Sequence, residues 1–246
     1  MAEKIGRLNP LLEVLKISPG RVEKILVDKE FTGGRLGEAL ALARKNRVLV
    51  QFVPRVTLDR LMPHHQGFVA ALAAKSYSSV EDILAGARER PFLLLLDEVE
   101  DPQNLGAVLR SAEGAGVDGV ILPERRSAGI TDTVLTVSAG AAEHLRIARV
   151  ANLGRTMEAL KKKGIWLVGA EKEGQGAWHE FDYTQPVGLV LGSEGKGLRP
   201  LVRQTCDRIL SIPQRGRVNS LNVGAAAAIF LFEVIRQRSL IGGGPG

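Results

Sequence analysis

The sequence is short of cysteine, of aromatic residues and of long apolar runs, and each shortage removes a class of protein. Cys206 is the only cysteine among 246 residues, which excludes an internal disulfide framework and a thiolate metal cluster. The histidines His64, His65, His144 and His179 are not spaced to put two ligands on one helix face, so no metal is expected. Aromatic residues make up 4% of the chain, so any core must be built from Leu, Val, Ile and Ala. No apolar run approaches ~18–20 residues without a charge, apart from a Gly/Ala-rich stretch near the C-terminus that reads as a core helix. No membrane span is therefore expected. The opening MAEKIGRLNPLLEVLK contains Glu3 and Glu13 and no signal-peptide core, so a cytoplasmic location is expected.

What remains is a globular composition, 45% apolar with a net charge of +6. The charge is unevenly placed. Residues 1–90 carry 15 Lys+Arg against 10 Asp+Glu, whereas residues 91–246 carry 18 against 17. A basic first third suits a segment that handles a phosphate backbone.

Periodicity divides the chain into a small α/β domain over 1–75, a linker over 76–90, a second α/β domain over 91–241 and a flexible tail over 242–246. In the first, helices are predicted over 5–16, 35–46 and 57–61, with strands over 22–27 and 48–53 and a further one after His65-Gln66-Gly67. The linker is polar, with a short helix over 80–87. In the second, Phe92–Leu96 is a continuous apolar run, as in a strand buried on both faces. Strands are predicted over 119–122, 147–150, 165–170, 187–191 and 209–212. Helices are predicted over 104–116, 131–142, 152–163 and 220–238, and this alternation predicts a parallel sheet.

Two glycine patterns fail as nucleotide sites. Gly114-Ala115-Gly116-Val117-Asp118-Gly119 matches G-x-G-x-x-G, but it ends a helix and leads into a strand, the reverse of the dinucleotide fingerprint. Gly192-Ser193-Glu194-Gly195-Lys196-Gly197 lacks the Ser or Thr that must follow the lysine of a phosphate loop, and Glu194 would repel a triphosphate.

Three other segments are more specific. Asn104 stands at a helix start, and Arg110 lies six residues on, some 120° round the helix axis. The 192–197 loop follows a strand at the end where α/β proteins bind ligands. Ser211–Val223 is a strand, a basic loop and the start of an apolar helix, with Asn219 or Ser220 as its cap and Asn222 not needed for capping.

Taken in order, N-L-G-A-V-L-R-S-A, L-G-S-E-G-K-G-L and I-P with N-S-L-N-V resemble the three motifs of the SpoU (TrmH-like) class of RNA ribose 2′-O-methyltransferases. The resemblance covers the whole chain and is closest to the bacterial enzymes that methylate a guanosine ribose of 23S rRNA. It implies a C-terminal knotted (trefoil) α/β parallel-sheet methyltransferase domain, a small N-terminal α/β RNA-binding domain and a homodimer formed through the C-terminal domain. It implies S-adenosyl-L-methionine as cofactor, held at Gly169, Gly192, Ile212 and Leu221. Arg110, Glu194, Asn222 and Asn104 take the catalytic positions, with Glu194 and Asn222 holding the arginine. Arg7, His65, Asn219 and Ser220 take RNA contacts. A tRNA ribose methyltransferase of the same class, or an RNA-binding ribosome-assembly factor without catalysis, are the alternatives.

Overall fold

The structure, a computed structural model, describes residues 3–31, 34–216 and 220–241. The expected contact Asn219 and the expected tail 242–246 lie outside the described residues. The chain begins β1 (Glu3–Ile5), α1 (Leu8–Ile17), β2 (Val22–Asp28), α2 (Leu36–Lys45), β3 (Leu49–Val53), α3 (Arg55–Leu61), β4 (Phe68–Leu72) and α4 (Val80–Ala85). It continues β5 (Phe92–Leu96), α5 (Pro102–Gly114), β6 (Gly119–Pro123), α6 (Asp132–Val137), β7 (Ile147–Val150) and α7 (Leu153–Lys162). Last come β8 (Trp166–Ala170), β9 (Gly176–Ala177), β10 (Val187–Leu191), α8 (Pro200–Thr205), β11 (Arg208–Ser211) and α9 (Val223–Ile241). Among the described residues no helix is long and apolar enough to cross a membrane.

Two compact units result, and they do not follow the expected boundaries. One comprises Met1–Ser76 together with Gly129–His144; the other comprises Tyr77–Ala128 and Leu145–Gly246. The first holds a four-stranded sheet in the order β1-β4-β2-β3, with β2 and β3 parallel and β4 antiparallel to both its neighbours. Its core is built from aliphatic residues such as Ile5, Leu11, Leu15, Ile25, Leu58 and Leu72, with Phe68.

The segment 129–144 joins this unit for a packing reason. Val134 and Leu135 of α6 are fully buried. The helix predicted over 131–142 breaks where Ala139 and Gly140 take φ of 54° and 91°. A Cβ on Gly140 would stand 2.8 Å from Cβ of Glu13 and 3.3 Å from Cα of Pro10 on α1. Just beyond, the buried Glu143 carboxylate receives the Arg21 guanidinium, which also reaches Glu3 at 3.0 Å and the Ala73 carbonyl at 3.0 Å. A buried carboxylate needs such a partner, and the partner belongs to the first unit.

The expected linker is also corrected. Ser79 opens α4 with a reciprocal capping box to Asp82, and Ile83 is fully buried in the core of the second unit. A Cβ on Gly119 would lie 2.3 Å from the Ile83 side chain, so that glycine makes room for α4.

The second unit carries a seven-stranded sheet in the order β7-β6-β5-β10-β8-β11-β9, parallel throughout. Its middle strands β5 and β10 are buried at every residue, which is why FLLLL and VGLVL show no alternation.

Candidate active site

The carboxyl ends of β8, β10 and β11 open onto a cavity of about 350 Å³. Leu191, Ile212, Leu221, Val223 and Phe230 give it apolar walls, and Gly192, Ser193 and Glu194 form a polar lip. Ala170, the last residue of β8, and Glu171 and Lys172 directly after it also line the cavity. Those three residues were not singled out in the sequence, although their place at a strand's carboxyl end was the available signal.

The 192–197 loop is shaped by what glycine permits. A Cβ on Gly192 would sit 2.2 Å from both the carbonyl carbon and oxygen of Gly197 and 2.5 Å from the Leu198 nitrogen. The loop folds back on that bare Cα, closed by Ser193 N–H to Gly197 O at 3.2 Å and Gly197 N–H to Ser193 O at 3.0 Å. Glu171 then pins the far side, accepting from Leu198 N–H at 3.1 Å and from Arg203 Nε at 2.7 Å. Beneath the loop, fully buried Asp97 takes Arg199 Nε at 2.8 Å and the Arg199 amide at 2.9 Å.

Three of the four expected catalytic residues meet. Asn222 Oδ1 accepts from Gly224 N–H at 2.9 Å, Asn222 Nδ2 donates to Asn104 Oδ1 at 2.8 Å, and Asn104 Nδ2 donates to Glu194 Oε2 at 2.8 Å. Two expectations are corrected here. The helix expected over 104–116 starts at Pro102, with Asp101 as its cap receiving Gln103 N–H at 2.8 Å; Asn104 therefore lies inside it, and its amide holds Glu194. Asn222, expected to play no capping part, does cap α9, since it directly precedes Val223 and takes the amide of the second helical residue.

Arg110 is exposed on α5 and has no hydrogen bond or ion pair among the described residues. Glu194 and Asn222, expected to hold it, are instead bound to Asn104. Of the expected cofactor residues, Gly192, Ile212 and Leu221 line the cavity and Gly169 does not. The space a Gly169 side chain would need is taken by Ile209 Cδ1 at 2.7 Å and Leu198 Cδ1 at 2.9 Å. Ser220, expected at RNA, lines this same cavity.

Arg7 and His65, the other expected RNA contacts, both line a cleft in the first unit. His65 has no free nitrogen there. Its Nδ1 accepts Gly67 N–H at 3.1 Å, which leaves the proton on Nε2 to donate to Asp59 at 3.0 Å. The imidazole builds the cleft wall instead of offering a donor.

The chain matches the sequence profile of the SpoU rRNA methylase family over residues 91–232. It belongs to that family. A second profile, RNA 2′-O ribose methyltransferase substrate binding, matches residues 8–78 of this SpoU methylase. A Bacillus subtilis protein assigned to the TrmH family of tRNA/rRNA methyltransferases is 40% identical over 97% of this chain and 96% of its own. Among solved structures, the SpoU methyltransferase AviRb of Streptomyces viridochromogenes, in complex with AdoMet, superposes with a TM-score of 0.81 at 29% identity. That match covers 96% of this chain and 90% of AviRb. An AdoMet-bound rRNA methyltransferase of Sinorhizobium meliloti gives 0.79 at 25% identity, over 96% and 87%.

Proposed function

We propose that this SpoU methylase transfers a methyl group from S-adenosyl-L-methionine to a ribose 2′-hydroxyl of RNA. The observation that carries the reading is the Asn222–Asn104–Glu194 chain standing at the lip of an apolar cavity. The cavity suits the cofactor: its apolar walls fit an adenosine, and Gly192, Ser193 and Glu194 give its lip polar groups. When bound, S-adenosyl-L-methionine supplies an electrophilic methyl group, which leaves sulfur as the bond to the ribose oxygen forms.

The protein must orient the hydroxyl and ease departure of its proton. Glu194 has one oxygen fixed by Asn104, so its other lone pairs are aimed and available to the ribose hydroxyl. Arg110 is a permanent cation, suited to hold the phosphate beside the reacting ribose and to favour the developing alkoxide. The arginine is unpartnered among the described residues because its partner is RNA. At finer grain, the substrate is a guanosine of 23S rRNA, acted on in the cytoplasm by a homodimer whose second unit is the trefoil-knotted form. Phe232, Leu240 and Ile241, at 50%, 72% and 57% exposure on α9, support that helix as part of the dimer face.

The test is transfer of labelled methyl from the cofactor to purified rRNA and tRNA, with ribose methylation mapped on the product. Arg110→Ala should lower turnover about 10²–10³-fold while leaving cofactor affinity intact. Wild-type turnover in that variant at saturating RNA would sink the assignment, and labelling of tRNA alone would sink the 23S choice.

A further inference from the structure

The first unit holds the larger cavity of the two described, about 740 Å³. Among the described residues its lining includes three guanidinium groups, Arg7, Arg35 and Arg55, and no carboxylate. Arg7 and Arg55 are exposed and their side chains have no partner among the described residues. Among the described residues Arg35 reaches only Asn9 Oδ1, at 3.4 Å. Cations gathered in a concave surface without counter-charge raise the local concentration of anions.

The cleft offers more than charge. Phe31 is 38% exposed on its wall. The ring packs close against Gly67, where an added Cβ would come within 2.1 Å of it, so the main chain backs the ring while its exposed part borders the cleft. Gln66 Oε1 is used by Leu8 N–H at 2.9 Å, and its Nε2 group has no partner among the described residues. The His65 bonds to Gly67 and Asp59 hold this wall in place. A partly exposed aromatic ring, an amide donor and guanidiniums without an ion pair among the described residues together match a nucleotide: a base to stack, a base edge to read, a phosphate to bind.

We propose that this cleft binds one unpaired nucleotide of an RNA strand, with its base stacked on Phe31 and its phosphate on Arg7 and Arg55. The inference rests on the reading of this protein as an RNA methylase, but names a site remote in sequence from the methyl-transfer residues. An unpaired base presents its face to an aromatic ring, whereas a base within a duplex does not. The cleft thereby selects a loop, bulge or end over a continuous helix.

The experiment uses the full chain and a short oligoribonucleotide carrying 2-aminopurine, single-stranded or annealed to its complement. The wild-type protein should prefer the single strand and quench its fluorescence. Phe31→Ala should weaken single-strand binding by about 10- to 100-fold and leave duplex binding unchanged. Phe31→Trp should restore both affinity and quenching, which separates stacking from support of Gly67. Arg7→Ala and Arg55→Ala should each reduce the slope of log affinity against log salt by about 1. Equal wild-type binding of single strand and duplex, or failure of Phe31→Trp to restore quenching, would overturn the proposal. Cofactor affinity measured on the same samples keeps the two readings apart. If the cofactor does not bind while Phe31 still governs single-strand binding, the methylase reading falls and the cleft stands.

Discussion

Replacing Asn104 by aspartate (Asn104→Asp) keeps the shape of the side chain and reverses what it offers Glu194. The direction of the whole chain of hydrogen bonds is set by one backbone amide. Gly224 N–H can only donate, so Asn222 Oδ1 accepts; Asn222 Nδ2 then donates to Asn104 Oδ1, and Asn104 Nδ2 must donate to Glu194. Asn222 can still donate to a carboxylate at position 104, but the donor to Glu194 is gone and two carboxylates face each other across a gap that was 2.8 Å. Loss of a hydrogen bond to a charged group costs about 1.5–3 kcal/mol. Repulsion adds about 1 kcal/mol, the water-like figure, because Glu194 is exposed. Together these predict a fall in turnover of about 10²–10³-fold near neutral pH. The loss should shrink as pH falls, because a single proton shared between the two carboxylates rebuilds a hydrogen bond. Asn104→Ala serves as the control, losing the donor without gaining charge, and its deficit should not depend on pH in that way. Turnover is read by methyl transfer across a pH series at saturating cofactor. Turnover of Asn104→Asp equal to wild type, or a deficit that does not ease in acid, would refute the reasoning.

Gly192→Ala would push a methyl group into the Gly197 and Leu198 backbone. Relief requires opening the two Ser193–Gly197 hydrogen bonds, so stability should fall by about 1–3 kcal/mol and cofactor affinity with it. Gly195→Ala meets nothing within 4 Å but carries φ of +84°, so it should cost only the left-handed strain of roughly 1–2 kcal/mol. Thermal melts and cofactor titrations of both would show the contrast, and equal losses would count against the close-approach account. Burial pushes the Cys206 thiol up from its ordinary value near 9 to about 12. Below that value the native thiolate fraction is small, so alkylation at mildly alkaline pH should run about 10³-fold slower in the folded than in the unfolded protein. Near-equal rates, followed by mass spectrometry, would show the thiol to be exposed.

Much of the second unit could be read from residue order. Runs such as FLLLL and VGLVL announce buried strands, and Asn152 with Gly164 bound a helix correctly because capping is local chemistry. What could not be read depends on contacts distant in sequence. Glu194 and Asn104 are 90 residues apart and Asn222 and Asn104 are 118 apart. Their roles could be named through the resemblance, but their pairing could not: Glu194 and Asn222 were expected at Arg110 and meet Asn104 instead. The three-residue strand β1 and two-residue strand β9 carry too little pattern to detect. His65 shows a different limit. The resemblance implied an RNA contact there, and only geometry reveals that both of its nitrogens are already taken.

The assignment of residues 129–144 to the first unit has a bearing on how the protein is made. Synthesis from the N-terminus delivers β5, α5 and β6 before α6 and Glu143 emerge. Arg21, which also holds Glu3, and Lys75 must therefore wait for the buried carboxylate they pair with. The first unit cannot finish folding as a self-contained N-terminal bead while the rest is still being translated. A nascent chain halted before residue 129 should accordingly be sensitive to protease within its first 76 residues, and one halted well past residue 144 should be resistant there.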